Sequence, residues 1–325
     1  MNLSIIIPVY NIESHIARCL ESVFSQSMDN FEVICINDGS TDNSQSVIDK
    51  YAAEHPNLQC IYQSNRGLSE ARNTGIKNAN GKYVFFLDGD DSLTDKQSLA
   101  TILDICSQNN LDLFIGNAVV DGHNPYLQNY PKNNEVISGS EIMHLFMSNN
   151  RTLIEPVWCY LYSKEFLDSH QLRFKKGIYH EDILFTPQAM YLAKRCMCKD
   201  IAIVDYQTHR TGAITTTTSI KHLIDKRDTA RDLYCFFLSK TALEPMTYQI
   251  ILEIYTEIIK SAYDNRLSTR DIILSEDKRI MSQCALTKRD RKTIHLLNIS
   301  PSLSAHYSSN TMHPILRKAI NFLPL

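Results

Sequence analysis

Along the first 120 residues, apolar runs alternate with amphipathic stretches. "LSIIIPV" (3–9) is continuously apolar, as a parallel strand buried on both faces must be. Residues 12–27 then set Ile12, Ile16, Leu20, Val23 and Phe24 at helical spacing, with Asn11 as the expected N-cap. "FEVICIN" (31–37) predicts a second buried strand, and Val47, Ile48, Tyr51 and Ala52 mark one face of a second helix. "LQCIYQ" (58–63) predicts a third strand, followed by a helix carrying Ala71, Gly75, Ile76 and Ala79. "KYVFFL" (82–87), a helix over 96–108 and "LDLFIG" (111–116) complete four β-α repeats and a fifth strand. Such alternation implies an α/β fold, a mostly parallel sheet flanked by helices.

The periodicity weakens after residue 117. Residues 120–134 read as a loop or hairpin insertion, 139–149 and 180–195 as helices, and 201–207 as a strand. Beyond 217 the pattern is helical, which puts a domain boundary near 210–220.

Composition narrows the class. The chain has 325 residues, 43% hydrophobic and 21% charged, enough for a substantial core. No apolar run approaches the roughly 18 residues of a membrane helix. "LSIIIPV" is short, holds Pro8 and has no basic residue before it, so it does not read as a signal peptide. Nine cysteines at scattered spacings include one C-x-C, Cys196 and Cys198, with no second pair. Reduced thiols in a cytoplasmic protein are expected, without zinc.

The net charge of −3 is unevenly distributed. Residues 278–325 carry eight Lys and Arg against Asp290 alone, leaving a net of −10 on the rest. A basic C-terminal region is expected to meet something anionic. Nothing points to nucleic acid.

In such a sheet, ligands bind beyond the carboxyl ends of the strands. There the chain puts "PVYN", "NDGSTD", "SNRG" and "DGDDS", four polar loops that each lead toward a helix. One such loop would be ordinary turn chemistry; four on one rim read as a site. Asp88 and Asp90 are two apart, so in an extended segment their side chains share a face. Carboxylates so placed could ligate Mg²⁺ or Mn²⁺ or orient a sugar hydroxyl. Asp91 or Ser92 would cap the next helix. The loop lacks the EF-hand glycine and its twelfth-position Glu, and the chain has no P-loop or G-x-G-x-x-G. Glu181 and Asp182 open an amphipathic helix, where the helix dipole favours carboxylates. "THRTGAITTTT" (208–218) reads as a solvated linker or as a lid whose His209 and Arg210 face phosphates.

Taken in order, "SIIIPVYN" (4–11), "NDGSTDNS" (37–44), "NRGLSEARNTGI" (65–76) and "GKYVFFLDGDD" (81–91) resemble the inverting glycosyltransferases of family 2. The resemblance is strong over 3–120 and weaker to about 210, on "PVWCYLYSKEFL" and "YHEDILF". It implies a GT-A (Rossmann-like) catalytic domain over 1–215, with a nucleotide-binding half (1–117) and an acceptor half (118–215). A helical, basic region (216–325) follows.

The resemblance also implies roles. Pro8, Val9, Tyr10 and Glu13 would line the base and ribose pocket; Asp38 would hydrogen-bond the base, and Arg72 would lie near the nucleotide. Asp88 would face the ribose or sugar, with Gly89 letting the backbone approach the donor. Asp90 would hold the Mn²⁺ or Mg²⁺ bridging the donor diphosphate. Asp182 would be the general base, and Trp158 and Glu181 would bound the acceptor. His209 and Arg210 would contact phosphate. The donor would be a nucleotide-sugar with UDP as the expected nucleotide, and the acceptor a saccharide or lipid-linked saccharide of a bacterial surface polysaccharide.

Two rival readings stand beside this one. "LDGDDSL" (87–93) approximates the haloacid dehalogenase motif, which would make Asp88 a phosphohydrolase nucleophile, although that motif normally follows the first strand. A non-catalytic nucleotide-sugar-binding protein is the other. "HPILRKAINFLPL" (313–325) sets Ile315, Leu316, Ala319, Ile320 and Leu323 along one helical face. With "KRDRK" (288–292), that segment would either lie on the inner face of the cell membrane or pack on the protein.

Overall fold

The structure, a computed structural model, describes residues 1–126, 134–148, 156–208, 218–240, 244–300 and 304–305. The chain divides into two compact units: residues 1–177 with 185–210, and residues 178–184 with 211–325.

The first unit is built on one sheet. Strands β1 (Leu3–Val9), β2 (Phe31–Asn37), β3 (Leu58–Tyr62) and β4 (Tyr83–Phe86) run parallel in the order β3-β2-β1-β4. Helices α1 (Ile16–Phe24), α2 (Ser44–Glu54) and α3 (Leu68–Asn78) make the crossovers. All of β1 and β4 is buried, which explains their unbroken apolar runs. The close fit of α3 on β1 depends on Gly75, where a Cβ would come within 2.3 Å of Ile6 Cγ2.

Beyond β4 the sheet is mixed. The described strands continue as β8 (Tyr160–Ser163), β6 (Leu113–Val120), β9 (Cys196–Tyr206) and β5 (Ser92–Leu93), with β7 (Asn124–Pro125) paired to β6. Strand β8 lies antiparallel between β4 and β6, and β9 runs parallel to β6. The sequence pattern does not disclose β8: four residues are too few for a period. Helices α4 (Ser98–Asn109), α5 (Gly139–Ser148), α6 (Lys164–Ser169) and α7 (Asp182–Leu192) complete this part of the chain. Phe86, Tyr162, Phe174 and Phe185 form an aromatic core, with Phe174 and Phe185 stacked at 4.0 Å.

Two expected helix starts move. Asn11 does not cap α1; it adopts a left-handed φ of 51°, and its Oδ1 accepts the Thr41 N–H at 2.7 Å. Asp91 and Ser92 do not start a helix either. Ser92 and Leu93 pair with β9, and Asp95 accepts the Gln97 and Ser98 N–H groups ahead of α4, both at 2.7 Å.

The second unit is helical: α8 (Ile220–Leu238), α9 (Pro245–Asp264), α10 (Ser275–Cys284) and α11 (Lys288–Ile299). Leu233, Phe237, Ile251, Tyr255, Ile258 and Ile280 are among its buried residues. One carboxylate is fully enclosed. Asp277 accepts Arg231 Nε at 2.7 Å and Nη2 at 2.8 Å, the Tyr255 hydroxyl at 2.9 Å and the Leu274 N–H at 2.7 Å. In the "KRDRK" run, Lys288, Arg289 and Arg291 are exposed and Lys292 is buried. Among the described residues no helix is long and apolar enough to cross a membrane. Residues 313–325 lie outside the described residues.

Candidate active site

Four parallel strands send their carboxyl ends to one rim, and the loops leaving β1 and β2 are stitched together there. The Asp38 N–H donates to Val9 O at 2.9 Å. The Ile12 N–H donates to Ser44 Oγ at 3.0 Å, and the Glu13 N–H to Asp42 Oδ2 at 3.0 Å. Glu13 returns the bond, accepting the Asn43 N–H at 2.7 Å. Pro8 and Val9 end β1 beside Ile36 and Asn37 of β2. Tyr10, the next residue, is 48% exposed, an uncovered aromatic face at the rim.

Asp38 is more committed than the sequence implied. It is buried, and its Oδ1 accepts Gln63 Nε2 at 2.7 Å and the Arg66 N–H at 2.9 Å. Oδ2 accepts the Gly67 N–H at 2.8 Å. The carboxylate therefore ties the loop after β3 to the loop after β2. A bond from Asp38 to a nucleobase would draw on the acceptor capacity that these three donors leave.

After β4 comes the acidic loop. It is a turn rather than an extended segment: the Asp91 N–H donates to Asp88 O at 3.0 Å. The expected shared face of a strand therefore does not apply to Asp88 and Asp90. Gly89 is required by crowding, since a Cβ there would lie 2.5 Å from Ile12 Cδ1 and 3.1 Å from Pro8 O. Asp88 Oδ1 accepts Arg72 Nη2 at 2.6 Å, and the Arg72 guanidinium lies 5.4 Å from the Phe174 ring centroid. Arg18 Nη2 donates to Asp90 O at 2.7 Å. Asp91 is buried and accepts the Gln207 N–H at 2.9 Å. Burial, and then the charges of Asp88 and Asp90, push the Asp91 carboxyl up to about 8.

This crowding bears on the metal. Among the described residues no three His, Cys, Asp or Glu side chains gather to hold an ion. A small hard cation is often bound by one or two carboxylates, with phosphate and water oxygens completing the shell. With Asp88 paired to Arg72 and Asp91 buried against the Gln207 N–H, Asp90 is the carboxylate of the turn that fits that arrangement.

Trp158 sits in a 3₁₀ turn (Val157–Cys159) and is nearly buried. Its ring stacks on Tyr206 at 5.5 Å, and Tyr126 meets it edge-on at 5.3 Å. Tyr126 is 39% exposed, so the cluster reaches the surface. Neither tyrosine was apparent from the sequence: Tyr126 falls in the 120–134 stretch, and Tyr206 reads as a strand end. The neighbouring backbone is held by Asp121, which accepts the Thr208 N–H at 2.9 Å and hydroxyl at 2.6 Å.

Glu181 and Asp182 belong with the second unit. Glu181 is buried, and Asp182 opens α7, its Oδ1 accepting the Ile183 N–H at 3.0 Å. His209 and Arg210 lie outside the described residues.

Comparison with known proteins adds three findings. A family model described as "Glycosyl transferase family 2" matches residues 4–170. Over 216 residues the chain is 32% identical to the uncharacterized glycosyltransferase YibD of Escherichia coli (strain K12), covering 65% of this chain and 62% of that protein. Over 210 residues it is 33% identical to the uncharacterized glycosyltransferase EpsJ of Bacillus subtilis (strain 168), covering 63% and 60%. The match thus spans about three fifths of the length of these curated relatives. Among solved structures, S. aureus TarS 1-349 in complex with UDP-GlcNAc superposes with a TM-score of 0.73 at 19% identity, over 96% of this chain and 91% of that one. The mannosyltransferase PcManGT from Pyrobaculum calidifontis, in complex with GDP-Man and Mn2+, gives 0.54 at 13% identity, over 95% and 86%. At these identities the structural likeness speaks for the fold alone.

Proposed function

The chain belongs to glycosyl transferase family 2, a glycosyltransferase with a GT-A-like mixed sheet flanked by helices, and from that premise we propose the reaction it carries out. It transfers a sugar from a nucleoside diphosphate donor, with UDP as the nucleotide, to a hydroxyl of a saccharide or lipid-linked saccharide. Transfer inverts the anomeric centre and depends on Mn²⁺ or Mg²⁺.

The observation that carries this reading is the acidic turn after β4. Three carboxylates stand there beside the stitched loops of β1 and β2, and one of them is pushed up to about 8 by burial and its neighbours. A cation bound there would supply charge stabilisation for the departing nucleoside diphosphate. Asp90 would be its protein ligand, and Asp88, held by Arg72, would face the ribose or sugar. Gly89 brings backbone close to β1. Pro8, Val9, Tyr10 and Glu13 line the base and ribose pocket, with Asp38 holding the pocket's third loop in place. Trp158 and Glu181 bound the acceptor, and His209 and Arg210 contact phosphate.

The acceptor hydroxyl is a weak nucleophile until a base takes its proton, and Asp182 is that base. One base and one displacement give inversion. Asp182→Asn is expected to bind donor as the wild type does and to lose about 10² to 10⁴ in kcat. Isothermal titration and nucleotide-release kinetics read the two quantities separately, and retained transfer would remove the assignment.

The phosphohydrolase reading of Asp88 is set aside. The motif follows β4 instead of β1, the Asp88 carboxylate is ion-paired to Arg72, and the family is a different one. The basic C-terminal region supports placement at an anionic membrane surface on the cytoplasmic side, where a lipid-linked acceptor would be met. Cosedimentation with vesicles containing phosphatidylglycerol, reversed by salt, is expected; truncation after Ser300 should abolish it. Unchanged pelleting of the truncated chain would rule the contact out.

A further inference from the structure

Residues 178–184, which carry Glu181 and Asp182, fold with the helical unit, and helix α8 supplies what fixes their backbone. The Tyr179 N–H donates to Asp225 Oδ2 at 2.9 Å. The Tyr179 ring stacks on His222, with centroids 4.0 Å apart and planes at 26°. Lys221 Nζ lies 5.0 Å from the Tyr179 ring centroid and pairs with Asp225 at 2.7 Å.

This seat is itself held. His222 and Ser219 form a reciprocal capping box at the start of α8. The Ser219 N–H reaches His222 Nδ1 at 3.1 Å and the Ser219 hydroxyl reaches it at 2.7 Å. Because Nδ1 accepts the Ser219 N–H, the neutral ring carries its proton on Nε2. Two roles therefore meet in His222: it caps α8 and gives Tyr179 a flat surface to lie on.

The residue after Tyr179 shows why a seat is needed. His180 has a φ of 57°, the left-handed region, which costs a non-glycine residue about 1 kcal/mol. Strained backbone persists where its surroundings over-determine it, and such positions cluster at functional sites. Tyr179 anchors the chain on one side of His180. On the other, the Ile183 N–H returns to His180 O at 3.2 Å, closing the turn that presents Glu181 and Asp182.

We propose that Tyr179, seated on His222 and Asp225, is a positioning residue that holds the left-handed turn at His180 and thereby aims the Asp182 carboxylate. The proposal rests on the assignment of Asp182 as the base. It goes beyond that assignment by naming what orients the base, from residues that share nothing with the donor loops.

Steady-state kinetics across pH on the full chain test it, with wild type, Tyr179→Ala, Tyr179→Phe and Asp182→Asn side by side. A carboxylate displaced by about 1 Å loses on the order of 10² in rate. Tyr179→Ala should therefore lower kcat about 10²-fold and shift the acid limb of the kcat–pH profile, while donor KM stays within about two-fold. Tyr179→Phe should restore kcat, because the ring and backbone N–H make the contacts and the hydroxyl makes none of them. If Tyr179→Ala does not fold, Tyr179→Leu, which keeps apolar volume without the flat ring, carries the same expectation. A kcat near wild type in that variant, with Asp182→Asn inactive, would overturn the positioning role and leave the base standing. An active Asp182→Asn would overturn both. Equal losses in the Ala and Phe variants would make the hydroxyl the working group and would also overturn the proposal.

Discussion

At the scale of single residues, the acidic turn after β4 sets three carboxylates, Asp88, Asp90 and Asp91, within four positions. Asp91 is buried, and that burial first, then the charges of Asp88 and Asp90, push its carboxyl up to about 8. The sequence does not say which carboxylate is engaged by protein. Arg72 claims Asp88, and three N–H donors claim Asp38, because residues far apart in the chain meet on the rim. Gly89 gives a sharp prediction. A Cβ would meet Ile12 and the Pro8 carbonyl, so Gly89→Ala should destabilise the first unit by about 1–3 kcal/mol and weaken donor binding. Denaturant unfolding and donor titration check the two effects. Arg72→Met removes the partner of Asp88 and should lower kcat/KM for the donor about 10²-fold, read by nucleotide release, with rescue by Arg72→Lys incomplete because a single ammonium replaces a planar fork.

At the scale of elements, the parallel strands were legible because burial on both faces forces unbroken apolar runs, as in "LSIIIPV". Short elements were not. β8 has four residues and β5 two, and both owe their existence to pairing partners distant in sequence. The cap expected of Asp91 or Ser92 fails for the same reason: Asp91 accepts the Gln207 N–H, and Asp95 accepts the Gln97 and Ser98 N–H groups ahead of α4. In the helical unit, the Arg231–Asp277 pair joins α8 to α10. Asp277→Ala would take from Arg231 its bidentate partner, leaving the longer pairs to Glu276 (3.6 Å) and Asp228 (3.8 Å), and would leave the Tyr255 hydroxyl and Leu274 N–H without that acceptor. A loss of about 3 kcal/mol is expected in chemical unfolding.

His180 belongs to the same unit. Burial first, then Lys226 and His222, lower it from 6.5 to about 4. Between those values the unfolded chain takes up a proton that the folded chain refuses, so stability falls as pH drops through that window. Glu253 has the opposite sign: burial raises it to about 7, and its contribution falls as pH rises from 4.5. The decisive quantity is the difference between wild type and His180→Asn, which keeps a residue tolerant of left-handed backbone. The variant should lose less stability than wild type between pH 6.5 and 4; identical curves would contradict the assignment.

At the scale of the whole molecule, the chain folds as two compact units. The loops after β1, β2 and β3 and the acidic turn after β4 belong to the first, and Asp182 with Tyr179 and its α8 seat belongs to the second. The family was legible because its signatures sit on the four regular β-α repeats. The seat on α8 was not, because Tyr179 and His222 lie 43 positions apart in a stretch with no strand rhythm. The most direct test of the account is proton NMR of the sugar first released when the enzyme is given a panel of nucleoside diphosphate sugars with Mn²⁺. The account predicts turnover of one donor, release of the inverted anomer, and loss of both on chelation of the metal or in Asp90→Ala. Release of the retained anomer, or turnover unaffected by chelation and by Asp90→Ala, would contradict it.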